Sequence, residues 1–163
     1  MERILVSSCL IGRPVRYDGA AKPVRGDLFE TWRAEGRLVP FCPEVSGGLP
    51  VPRPPAEIVG GDGHAVLDGT AQVRTESGTD VTAEFLRGAH LALQTAQRNG
   101  ARIALLKDGS PSCGSTRIYD GTFTGTSIPG DGVTTALLKR AGIHVFAETD
   151  LPAANTLLQT LTP

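Results

Sequence analysis

Residues 81–114 read VTAEFLRGAHLALQTAQRNGARIALLKDGSPSCG, and two periods meet there. Val81, Phe85, Ala89, Ala92 and Ala96 recur at three to four positions, which predicts a helix from Val81 to Asn99 with Asp80 as cap and Gly100 as stop. Arg102 to Lys107 then changes to a short continuous apolar run, Ile103-Ala104-Leu105-Leu106, which reads as a strand. The polar run Asp108-Gly109-Ser110-Pro111-Ser112-Cys113-Gly114 follows it. Helices alternating with such strands build a parallel sheet covered on both faces.

The same alternation extends outward. Arg3 to Ser7 reads as a first strand, ended by the Gly12 to Gly19 loop. Asp27 is expected to cap a helix through Arg37, with Glu30 at the reciprocal capping position, Leu28 and Trp32 on one face and Gly36 near the end. Leu38 to Phe41 forms a second strand. Between Pro40 and Pro55, six prolines and two glycines argue against regular structure and predict an ordered, irregular loop. His64 to Asp68 and Ala71 to Thr75 are expected to pair as a hairpin about Asp68-Gly69, and Ile118 to Thr124 to form a small ribbon. Asp131 opens a helix carrying Val133, Leu137, Leu138 and Ala141 that closes at Gly142. Ile143 to Ala147 is a fourth strand, and Pro152 to Leu161 a final helix. The expected architecture is α/β: one domain over 1–163 in three α/β/α layers, with a mainly parallel flavodoxin- or Rossmann-like sheet and a small β-hairpin insertion.

With 163 residues and 40% apolar content, the chain suits one domain that buries about two-thirds of its surface. Sixteen basic and seventeen acidic residues nearly cancel, so the positive field of a nucleic-acid or anionic-membrane binder is missing. Small-molecule chemistry is the remaining expectation. The first apolar run is too short for a signal peptide, and no stretch reaches the roughly 18 apolar residues of a membrane span, which points to the cytoplasm. Thiols stay reduced there, and three cysteines cannot all pair within one chain.

Each cysteine lies just past a separate strand: Cys9 after Ile4-Leu5-Val6, Cys42 after Leu38 to Phe41, Cys113 after Ile103 to Leu106. The carboxyl ends of parallel strands share one rim, so the three can meet in one site. Structural zinc needs four ligands and usually a local Cys-x-x-Cys pair, neither of which is present. His64, His90 and His144 lie beside no cysteine and read as structural or surface residues. A three-thiolate iron–sulfur cluster with one open iron is the other candidate. Glu44, two residues past Cys42, reads either as a general acid or base or as a loop carboxylate paired with Arg53. Ser110 and Ser112 read either as substrate or sulfur hydrogen-bonding groups or as turn formers. Gly47-Gly48 and the Gly12 to Gly19 loop match no nucleotide fingerprint. Arg16, Tyr17 and Asp18 stay open between structural and ligand roles.

Several collinear segments resemble the bacterial thiouracil desulfidases. They are Ser8-Cys9-Leu10 with Gly12 and Arg16-Tyr17-Asp18-Gly19; Cys42-Pro43-Glu44 with Gly47-Gly48-Leu49 and Pro52-Arg53; and Leu106-Lys107 with Ser110 to Gly114 and Ile118-Tyr119-Asp120-Gly121. Pro129-Gly130-Asp131-Gly132-Val133 completes the set. The resemblance implies a [4Fe-4S] cluster held by Cys9, Cys42 and Cys113, with a fourth iron free to take sulfur from a thiolated pyrimidine such as 2-thiouracil. It also implies non-redox release of hydrogen sulfide. Glu44 corresponds to the acid/base carboxylate and Ser110 to the active-site serine, with Ser112 as the neighbouring candidate. Ser8, Gly47, Gly48 and Ser112 are expected to contact substrate. The expected partners are the small-molecule substrate and the iron–sulfur assembly machinery. Two other readings stand beside it: a cluster-bearing sulfide carrier or sensor that cleaves no carbon–sulfur bond, and a cluster-free small-molecule binding domain.

Overall fold

Four apolar runs, each followed by a turn, form the central sheet of the computed structural model, which describes residues 1–162; Pro163, the last residue of the expected domain, lies outside the described residues. In chain order the elements are β1 (Ile4–Ser7), α1 (Asp27–Ala34), β2 (Leu38–Phe41), α2 (Pro43–Ser46), β3 (Ala56–Val59), α3 (Gly63–Leu67), β4 (Gln72–Thr75), α4 (Thr82–Arg98), β5 (Ile103–Leu106), β6 (Arg117–Tyr119), β7 (Ser127–Pro129), α5 (Val133–Arg140), β8 (His144–Ala147) and α6 (Leu151–Leu161). The sheet order is β2-β1-β5-β8, all parallel, which is the flavodoxin-like order carried over four strands. Pro40 sits in β2, an edge strand, where a missing N–H costs the ladder little.

Side chains alternate across the sheet and give it two dry faces. Ile4, Val6, Ile103 and Leu105 pack against Phe29 and Trp32 of α1 and Ala154 and Leu158 of α6. Leu5, Ala104 and Leu106 pack against Ala92 and Ala96 of α4 and Leu138 of α5. Each fully buried Leu or Ile contributes about 1.5–3 kcal/mol of transfer free energy. The expected three-layer α/β/α arrangement is therefore present. A third cluster, centred on Ile58, Val73, Phe85, Ile118 and Val133, docks the two small antiparallel ribbons β3-β4 and β6-β7 onto α4 and α5. Among the described residues, no helix is long and apolar enough to cross a membrane.

Several local expectations are corrected. Asp27 does not cap α1: the cap is Gly26, Asp27 falls in the first turn with Glu30, and the helix ends at Ala34 rather than Arg37. Acidic groups in that turn face the positive end of the helix dipole. The proline-rich loop admits one helical turn, α2, because Pro43 stands at a helix start where its missing N–H is not needed. The hairpin partner of β4 is β3, not His64 to Asp68, which is helical; the Asp62 carboxylate accepts the Ala65 N–H at 3.1 Å and starts α3. The ribbon is not continuous from Ile118 to Thr124. Asp120 Oδ1 accepts the Thr122 N–H at 3.0 Å, turning the chain after β6, and β7 returns antiparallel. Asp131 precedes the α5 cap, Gly132, and gives its carboxylate to His64 and Lys139. Asp80 lies one residue before the α4 cap, where it still accepts the Thr82 N–H at 2.9 Å.

Gly88 sits in the middle of α4, where glycine is intrinsically poor. The close approach of α2 explains it: a Cβ at this position would lie 2.0 Å from the Pro43 carbonyl oxygen. Helix propensity alone favours Gly88→Ala by about 1 kcal/mol. The backbone contact reverses the sign, and we expect the variant to lose about 1–3 kcal/mol in urea denaturation. A stabilised variant would show that α2 is not held against α4 at this point.

Candidate active site

β1, β2 and β5 end at one rim, and each delivers a cysteine to it. Cys9 lies in the 3₁₀ turn Ser8–Ile11 directly after β1, and Gly12, with φ +98°, closes that turn by donating its N–H to the Cys9 carbonyl. Cys42 follows β2 immediately and is the first residue of the turn into α2. Cys113 lies in the loop after β5. There the free amides at the start of α5 are satisfied by loop carbonyls: Val133 N–H donates to Pro111 O at 2.8 Å and Thr134 N–H to Ser112 O at 2.9 Å. Gly132 makes this docking possible, since a Cβ there would stand 2.5 Å from the Ser112 carbonyl carbon. The Ser110 hydroxyl accepts the Cys113 N–H at 2.8 Å.

All three cysteines, with Ser8, Glu44, Ser110 and Ser112, line one cavity of about 440 Å³. Burial pushes the Cys9 thiol up to about 11, with the neighbouring Cys42 adding to the effect. Burial pushes Cys113 up to about 12 against the opposing hydrogen bonds of Ser112 and Ser7. Cys42 is also raised, chiefly by burial. Among the described residues, no three His, Cys, Asp or Glu side chains close on a point that a single metal ion could occupy. His64 is bound to Asp131, His90 and His144 are exposed, and none of the three lines the cavity.

Glu44 pairs with Arg53 and at the same time lines the cavity. Its Oε1 accepts from Arg53 Nε at 3.1 Å, and its Oε2 accepts from the Ser112 hydroxyl at 2.7 Å. Both members of the ion pair are largely buried, with side-chain exposures of 13% and 5%. Ser110 Oγ lies 3.2 Å from Ser112 Oγ, so Arg53, Glu44, Ser112 and Ser110 form a continuous polar chain along the wall. Gly47 and Gly48 are outside the cavity lining: a Cβ on Gly47 would lie 2.1 Å from the Glu84 carbonyl oxygen, and Gly48 adopts φ +110°. The glycine pair lets α2 lie against α4 and thereby sets the position of Glu44.

Sequence reasoning missed other residues of this rim. Ser7 donates to Cys113 Sγ at 3.6 Å. Lys107 Nζ pairs with Glu148 Oε1 at 3.0 Å on the cavity wall. Asp108 Oδ1 accepts the Ser115 and Thr116 amides at 2.9 and 3.1 Å, and Oδ2 accepts the Thr116 hydroxyl, so one carboxylate ties down the loop carrying Cys113. Asp108 beside Gly109, with the serines flanking Pro111, was the local hint of that turn. Arg16 and Tyr17 line the cavity, whereas Asp18 does not.

Fold and site together define a doubly wound α/β protein with a thiol-lined cavity at its strand-end rim. A family profile described as 2-thiouracil desulfurase matches residues 4–150, and the chain belongs to that family. It is 48% identical over 148 residues to the uncharacterized protein YbbK of Bacillus subtilis (strain 168), covering 91% of this chain and 97% of that one. It is also similar to a solved structure, the [4Fe-4S]-dependent thiouracil desulfidase TudS, at 54% identity and a TM-score of 0.89, covering 98% of this chain and 99% of that one.

Burial alone would raise the Asp108 carboxyl, but hydrogen bonds from the Thr116 hydroxyl and the Ser115, Thr116 and Arg117 amides outweigh it and hold it at about 2. A depressed folded value means that its stabilisation is full above the ordinary carboxylate value of about 3.9 and is lost as pH falls through about 2. Asp108→Ala leaves these donors without their acceptor. We expect it to cost about 1–2 kcal/mol at pH 7, at the lower end for a partly solvated site, with the gap to wild type narrowing below pH ~4. Urea denaturation across pH would show this, and a gap unchanged by pH would remove the carboxylate as its source.

Proposed function

We propose that this chain is a [4Fe-4S]-dependent thiouracil desulfidase that exchanges the sulfur of a thiolated pyrimidine such as 2-thiouracil for the oxygen of water. Carbon–sulfur cleavage then gives the oxo-pyrimidine and hydrogen sulfide, with no net redox change. The observation that carries this reading is the set of three thiols, from three strand ends, facing one cavity beside a Glu44–Ser112 hydrogen bond.

The donor set fits the cluster. Ligands of a four-iron core grip separate corners, so they need not close on one point as ligands of a single ion must. Burial disfavours thiolates at Cys9 and Cys113, and iron held there would supply the positive charge that offsets this. Cys9, Cys42 and Cys113 would hold it. When bound, the cluster supplies a Lewis acid with one iron lacking a protein ligand, open to a thiocarbonyl sulfur.

The chain's own residues supply the rest. Tyr17, Phe41, Tyr119 and Phe123 line the cavity and offer apolar walls to a flat ring. Arg53 fixes Glu44 through Oε1, leaving Oε2 directed at Ser112. Glu44 takes a proton from the attacking water at Oε2 and returns it to the departing sulfur. Ser112 orients that oxygen, and Ser110 holds the Cys113 loop through the backbone amide. This geometry favours Ser112 over Ser110 as the serine that works with Glu44. Ser8, buried at the rim, is a further hydroxyl of the cavity lining that the substrate would meet. The reading treats 1–163 as one desulfidase domain, with a reducing cytoplasm and the iron–sulfur assembly machinery as its setting.

Anaerobic reconstitution followed by incubation with 2-thiouracil tests the proposal, and uracil and sulfide should appear together. An intact cluster with no product would point to the sulfide-carrier reading instead. Glu44→Gln should keep the visible absorption of the cluster and lose about 100-fold or more in turnover; near-normal turnover would strip Glu44 of its role. Ser112→Ala should lower kcat by about 10-fold or more with iron retained, whereas Ser110→Ala should act mainly on cluster loading. The opposite pattern would return the catalytic serine to Ser110.

A further inference from the structure

Ser7 closes β1, is 3% exposed, and has no part in the proton handling above. Its side chain lies on the Leu5 face of the sheet, where Cys113 is buried. The ladder between β1 and β5 ends at Val6, and the Ser7 hydroxyl oxygen extends it by accepting the Lys107 N–H at 3.0 Å. That contact uses one of the oxygen's two lone pairs, and the hydroxyl has a single proton to place. Cys113 Sγ, at 3.6 Å, is its acceptor. Ser112 Oγ also stands 3.6 Å from this sulfur, but its one proton has the Glu44 carboxylate at 2.7 Å, and the charged oxygen is the stronger acceptor. Ser7 is thus the standing donor to the sulfur, while Ser112 serves Glu44.

We propose that Ser7 is a positioning residue for the cluster-binding sulfur of Cys113, holding the thiolate in place and weakening its electron donation to iron. The inference rests on the reading of Cys113 as a cluster ligand. Hydrogen bonds to ligand sulfur withdraw negative charge and favour the more negative, reduced cluster, so they raise its reduction potential. The desulfuration needs no redox change, and the potential therefore reports on Ser7 independently of turnover.

The test compares Ser7→Thr with Ser7→Val in the reconstituted protein; both add the same methyl group, and only one keeps the hydroxyl. Ser7→Ala covers the case where the added methyl does not fit the buried site. We expect full iron in all three. The potential should stay near wild type for Thr and move to more negative values for Val and Ala, with iron loss to a chelator about 10-fold faster in the last two. A merely structural role, through the orphaned Lys107 amide, would lower the melting temperature and leave the potential unmoved. That result, with Cys113→Ala depleted of iron, would overturn the role of Ser7 alone. Full iron in Cys113→Ala would overturn the ligand assignment beneath it.

Discussion

The parallel pairing of β1 with both β2 and β5 is the constraint on which the rest of the molecule depends. Ile4 stands opposite Leu38 on one side and Ile103 on the other, so the three strands finish at the same height. Parallel strands all point their carboxyl ends one way, and whatever follows them is gathered at one edge. Cys9, Cys42 and Cys113 have that position because of this register. Two dry faces maintain it, since a slip of one residue would turn Ile4, Val6, Ile103 and Leu105 away from α1 and α6.

A shared rim does not by itself build a site, because loops on a sheet edge are free to move unless their polar groups are satisfied. Here the satisfaction comes from helices. The first amides of α5 bind the carbonyls of Pro111 and Ser112, and Asp108 holds the far side of the same loop. α2, with Cys42 at its start and Glu44 in its turn, is held by the close approaches at Gly47 and Gly88. The segments carrying Cys42 and Cys113 are thereby tied to the helices that cover one sheet face, while Cys9 packs on the other face with α1 and α6; side chains near the chemistry gain fixed orientations at little further entropic cost.

Much of this was legible in the chain. The apolar period of α4 and the short runs of β1, β2, β5 and β8 announced a covered parallel sheet, and the strand-end cysteines announced the rim. Errors fell where one residue had to choose between local partners. Asp68-Gly69 looked like a hairpin turn, but Asp62 three residues ahead of Ala65 made the preceding segment helical, and the strand that pairs with β4 lay further upstream at Ala56–Val59. Prolines between Pro40 and Pro55 suggested a fully irregular loop, although a proline opening a helix is well placed.

Local periodicity and turn chemistry act across a few residues, so the order of amino acids already carries the type of most elements, the alternation that makes the fold α/β, and the motifs of the family. Which side chains meet across the site is set by how the elements pack. Ser112 reaches Glu44 across 68 positions, and Ser7 reaches Cys113 across 106. Such contacts leave no periodic trace, because a hydrogen bond depends on distance in space. That distance was set by sheet register and by glycines small enough to let backbones touch.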